Sequence, residues 1–124
     1  MTERSLIPLC RLDELDDPGS RGLQISWQGR KYEILVVRSG DALYAYLNSC
    51  PHTGAPLDWM PDQFLSADQR HIQCAMHAAL FRIEDGTCVA GPCVGDALKP
   101  IPARLEHGVL QFCPEQFREP GNGR

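Results

Sequence analysis

Along this chain, apolar and polar residues alternate in short runs, and nearly every run ends on a turn signal. Residues 6–11, 22–27, 31–38 and 42–48 read as strands, with Gln28-Gly29-Arg30 and Ser39-Gly40-Asp41 as the hairpin turns of a meander. Further runs at 71–74, 80–84, 87–90, 97–105 and 109–112 follow, with tight turns at Asp85-Gly86 and Glu106-His107-Gly108. No segment keeps an apolar period near 3.6 over several turns, so the expected fold class is all-β.

Two regions escape the pattern. Residues 50–73 make a loop too long for an ordinary hairpin, and long loops in compact chains are usually functional. The tail, 114–124, is rich in Pro, Gly and charge and is expected to fray. No internal repeat or low-complexity tract is present.

The length of 124 residues suits a single domain, 1–124, that buries a core without disulfides. A net charge of -4 and the absence of any basic run argue against nucleic acid as a partner. The first residues alternate apolar and charged side chains and supply neither a signal peptide nor a membrane span, so the expectation is a soluble, cytoplasmic protein with no membrane partner. In that compartment the six cysteines read as thiols or metal ligands rather than a disulfide framework.

The long loop opens with Cys50-Pro51-His52-Thr53-Gly54, and just beyond its end stands Cys74-Ala75-Met76-His77. Each edge therefore offers one thiolate and one imidazole, and side chains two or three residues apart in a turn can converge on one small object. Zinc accepts such a Cys2His2 set. So does a two-iron, two-sulfide cluster, whose oxidised core carries a formal +2 charge. Two thiolates cancel that charge, and two neutral imidazoles leave a species that accepts an electron more readily than a four-thiolate dianion. Such mixed-ligand centres lie at about −150 to +300 mV, against about −400 mV for plant-type ferredoxins. The second imidazole nitrogen can couple reduction to proton uptake, so the His edge is expected to face a redox partner.

Cys-x-His followed by Cys-x-x-His, with Phe81 and Gly91-Pro92 downstream, resembles the Rieske family over nearly the whole chain. The resemblance implies an antiparallel β-sandwich with an inserted cluster-binding subdomain, here about 46–95. It implies one [2Fe–2S] cluster, with Cys50 and Cys74 on the inner iron, His52 and His77 on the outer one, and Gly91-Pro92 as cover. The respiratory-complex branch has an extra Cys in each loop and hydroxyl donors from a Ser and a Tyr. The matching positions here are Ala55 and Met76, and Ala79 and Phe81. Without hydrogen bonds that stabilise the reduced cluster, the expected centre is low-potential and ferredoxin-like. The segment between His52 and Cys74 is longer than in common Rieske ferredoxins, and Ala78 stands where Gly is usual.

Cys10, Cys88 and Cys113 read as buried structural residues; Cys93 does so too, though it follows Gly91-Pro92. His71 and His107 stand singly and read as solvated, and no second set of ligands exists for the mononuclear iron of an oxygenase. Trp59, Met60 and Phe64 read as a small satellite core rather than a docking patch, while Asp58, Asp62 and Asp68 could either steer a basic partner or simply be solvated. The leading expectation is a non-catalytic electron carrier between a reductase and an oxygenase or similar acceptor, with no small-molecule substrate of its own. The alternatives are an accessory subunit similar to the small subunit of assimilatory nitrite reductase, and a zinc-stabilised interaction module.

Overall fold

A computed structural model of the chain describes residues 6–51, 57, 62–74, 79–91 and 94–117. Among these residues the structure is built from nine strands and two single 3₁₀ turns. The strands are β1 (Ile7–Arg11), β2 (Gly19–Trp27), β3 (Arg30–Ser39), β4 (Ala42–Leu47), β5 (His71–Gln73), β6 (Leu80–Arg82), β7 (Cys88–Ala90), β8 (Ala103–Glu106) and β9 (Val109–Phe112). They form three antiparallel sheets in the orders β1-β9-β8, β2-β3-β4 and β5-β6-β7.

The β2-β3-β4 meander is the middle layer, and β3 explains why. Ile34, Leu35, Val36 and Val37 are all fully buried. Because successive side chains of a strand point to opposite faces, an unbroken apolar run needs a core on each side. Ile34 and Val36 join Ala45, Ile25, Leu110 and Phe112 against the β1-β9-β8 sheet. Leu35 and Val37 join Tyr46, Ile72, Phe81 and Cys88 against the β5-β6-β7 sheet. The small third sheet, which lies between β4 and β8 in sequence, thus owns a core of its own.

Turn chemistry sets the registers. Trp27 pairs with Arg30 and Glu106 with Val109, so Gln28-Gly29 and His107-Gly108 are two-residue turns. All four of those residues have positive φ, as the turn that matches strand twist demands. β2 begins at Gly19, earlier than position 22, because Gly19, Ser20 and Arg21 pair with Arg38, Val37 and Val36 through backbone bonds that need no apolar side chain.

The expected strand at 97–105 is confined to Ala103–Glu106. Pro100 and Pro102 lack the N–H that a ladder needs. The preceding residues instead stitch the layers together: Leu98 N donates to Gly86 O (2.9 Å), Leu47 N to Lys99 O (2.8 Å) and Ile101 N to Ala45 O (3.0 Å).

The tail departs from expectation as well. After a 3₁₀ turn at Pro114–Gln116, Phe117 is only 2% exposed and packs edge-on against Trp27, Tyr32 and Phe112, with ring centroids 5.1, 5.1 and 5.5 Å away. Fraying from 114 is therefore incorrect as far as Phe117: one aromatic ring outweighs its polar neighbours. Residues 118–124 lie outside the described residues.

Candidate metal centre

Cys50 stands three residues beyond β4, and Cys74 directly follows β5. Their exposures are 1% and 0%, and both belong to the core between the middle layer and the third sheet. Two stretches 24 positions apart in the chain thus deliver their thiols to one apolar compartment. His52 and His77 lie outside the described residues, as do Ala55, Asp58, Trp59, Met60, Met76, Ala78, Pro92 and Cys93.

The base of each thiol-bearing segment is tied. Asn48 Oδ1 accepts the Leu57 N–H at 2.7 Å, which clasps the chain on either side of Cys50 and His52, and Leu57 itself is fully buried in the same core. Cys74 N donates to Ala79 O at 2.9 Å, closing the end of the β5–β6 hairpin. Asn48 was not singled out in the sequence, where an Asn at a strand end reads only as a turn former.

A third wall comes from β7. Cys88, 3% exposed, shares the core with Cys50 and Cys74, and its Sγ donates to Ala90 O at 3.3 Å. Gly91 follows with φ +101°, and a Cβ built there would lie 2.8 Å from Ala79 Cα. Only glycine permits both this backbone angle and this approach. The beginning of Gly91-Pro92 therefore rests on the residue that closes the Cys74 hairpin. Ala79 and Phe81 are fully buried in this core, so neither place presents a hydroxyl.

Below the wall, the Tyr46 hydroxyl donates to Ile83 O at 2.6 Å and joins β4 to the β6–β7 turn. Burial, with the nearby Asp85, Tyr44 and Glu84, holds this phenol well above its ordinary pKa. Gly86, at φ +75°, leaves room for the ring, since a Cβ there would lie 2.9 Å from Tyr46 Cε1.

Other residues fall into place. Cys10 and Cys113 are both 6% exposed and away from this core, and burial, followed by the Glu14 carboxylate, raises the Cys10 thiol pKa. His107 is exposed in the β8–β9 turn, and His71 is half-buried at the start of β5. Phe64 is buried, but in the same core as the two thiols rather than in a separate satellite core of the loop. Asp62 and Asp68 are exposed yet engaged in hydrogen bonds, Asp62 with the distant Gly22 N–H and Asp68 with its neighbours Ser66 and Arg70, which makes them structural before anything else.

Two deeply buried thiols on tied segments, walled by a close glycine contact, suit a metal cluster held at the edge of a β-domain. The profile of the Rieske [2Fe–2S] domain matches residues 5–105, and the chain belongs to that family, whose cofactor is one [2Fe–2S] cluster. Among solved structures, the ferredoxin of carbazole 1,9a-dioxygenase from Nocardioides aromaticivorans IC177 is 26% identical, with a TM-score of 0.67 over 89% of this chain and 98% of that one. The Sphingomonas yanoikuyae B1 ferredoxin is 21% identical, with a TM-score of 0.65 over 88% and 98%. The terminal oxygenase of carbazole 1,9a-dioxygenase from Novosphingobium sp. KA1 is 22% identical, with a TM-score of 0.69 over 94% of this chain but 32% of that one. No curated protein matches. Among the described residues no helix is long and apolar enough to cross a membrane.

Proposed function

We propose that this protein is a cytoplasmic one-electron carrier that takes an electron from a reductase and passes it to an oxygenase or similar acceptor. In this reading Cys50, His52, Cys74 and His77 hold the cluster, and residues 46–95 form the subdomain that bears it. The observation that carries the assignment is the burial of Cys50 and Cys74, at 1% and 0%, in one core at the roots of two tied segments.

When bound, the cluster takes up and releases single electrons. The protein's part is to exclude water from the thiols, fix the two segments and present the histidine edge to a partner. Ala79 and Phe81, both buried, supply no hydroxyl donor to the cluster, and the lack of those two hydrogen bonds favours a low potential. The match to the Nocardioides ferredoxin along nearly its whole length supports a carrier, and that protein's name ties it to a dioxygenase.

Visible absorption, electron paramagnetic resonance of the reduced protein and metal analysis test the assignment. The expected result is two irons per chain and a resonance from the reduced state. A colourless, resonance-silent protein with stoichiometric zinc would overturn it.

A further inference from the structure

Ser20 and Asp62 lie 42 positions apart in the chain, and neither is a candidate ligand. They nevertheless meet. Ser20 Oγ donates to Asp62 O at 2.7 Å, Asp62 Oδ1 accepts the Gly22 N–H at 2.7 Å, and Ser20 Oγ accepts the Phe64 N–H at 3.2 Å. Three hydrogen bonds thus fasten the far end of the long loop to β2.

The register of the middle sheet explains why β2 can receive this loop. Ser20 pairs with Val37 and Gly22 with Leu35, which places both small residues on the face of the core that holds the thiols. The gap they leave is filled by Phe64: a Cβ on Gly22 would lie 3.4 Å from Phe64 Cζ. Asp62 turns the chain at φ +67°, a left-handed angle that Asp and Asn tolerate better than most residues.

From Phe64 the connection runs directly to a ligand segment. Phe64 O accepts the Gln73 N–H at 2.9 Å, Leu65 bridges Ile72, and Ser66 N donates to His71 O at 2.9 Å. The loop therefore returns as an arm paired to β5, whose next residue is Cys74.

We infer that Ser20 and Asp62 are positioning residues for the Cys74 side of the metal centre, acting through Phe64 and Gln73. The inference rests on the assignment of Cys74 as a ligand. The clamp holds β5 at a fixed height over the middle sheet, so the thiol enters the site on a rigid support rather than at the end of a long loop.

The test measures, on the purified holoprotein, the rate at which a chelator removes the metal, the paramagnetic resonance of the reduced state, and the melting temperature. Ser20→Ala removes two of the three bonds. Asp62→Gly removes the side-chain acceptor but keeps the left-handed angle accessible, and Asp62→Asn keeps both. Ser20→Ala and Asp62→Gly are expected to speed metal loss by about tenfold and to shift or broaden the resonance, while Asp62→Asn stays near wild type. Phe64→Leu, which leaves the three hydrogen bonds in place but shrinks the ring that fills the gap beside Gly22, keeps the test available should the other two fail to fold, and it is expected to speed metal loss in the same direction. Lower melting temperatures with wild-type release rates and an unchanged resonance would overturn the inference, leaving the clamp a prop of the fold alone. If the wild-type protein proves to hold zinc, the iron assignment fails, and the zinc release rates of the same variants then decide the clamp by the same comparison.

Discussion

Tyr46 holds two layers together with a single hydroxyl: the residue is 3% exposed, and its O–H donates to Ile83 O in the third sheet's turn. Tyr46→Phe leaves that carbonyl without its donor and is expected to cost about 1–3 kcal/mol in urea unfolding near neutral pH. Its folded pKa is raised, chiefly by burial, so its contribution to stability is fully present below the unfolded value of about 10 and is lost as pH rises beyond it. The variant is therefore expected to lose less stability than wild type between about pH 7 and 11. Asp68 has the opposite sign. Hydrogen bonds from the Ser66 hydroxyl (2.6 Å) and Arg70 N (3.0 Å) lower its pKa, so its contribution is present at neutral pH and is lost as pH falls through the folded value. Asp68→Asn should flatten the acid limb of the same titration, whereas a purely steering carboxylate would leave that limb unchanged.

At the scale of elements, the C-terminal turn and the β7 wall carry the sharpest expectations. Phe117 closes the core between the β1-β9-β8 sheet and the middle sheet, so Phe117→Ala is expected to cost about 3–5 kcal/mol by chemical denaturation. Truncation after Cys113 should cost at least as much. The composition of 114–124 hid this, because one Phe among Pro, Gly and charged residues leaves no periodic signal. Gly91→Ala combines an unfavourable φ of +101° with a contact of 2.8 Å to Ala79 Cα. It should bleach the protein at temperatures where circular dichroism still reports folded β-structure, since the strain falls on the Cys74 hairpin rather than on the middle sheet.

For the whole molecule, the two cores make separable predictions. Cys74→Ala or His77→Ala should abolish the visible spectrum, because each removes one assigned ligand. Cys10→Ala, in the other core, should retain it. If Cys10→Ala bleached the protein as completely, the ligand assignment would be wrong. A redox titration should place the midpoint in the lower part of the family's range of about −150 to +300 mV. A value near the top would show that some group outside Ala79 and Phe81 supplies the hydrogen bonds those positions lack.

The sequence by itself determined the all-β class and most strands, because period-two alternation and glycine-bearing turns are local signals read over a few residues. It also singled out Cys50, His52, Cys74 and His77, whose paired spacings are visible without any fold. Other features were illegible because they depend on residues far apart in the chain. The early start of β2 rests on backbone pairing with β3, and the short β8 follows from Pro100 and Pro102 handing neighbouring N–H groups to other layers. The burial of Phe117 requires three rings from β2, β3 and β9. Above all, only the tertiary structure brought Cys50 and Cys74 into one core and set Ser20 against Asp62. Both convergences come from the middle sheet burying its two faces separately: the unbroken apolar run Ile34–Val37 implies a core on each side, but which distant segments fill each core is decided by layer packing, which no local pattern encodes.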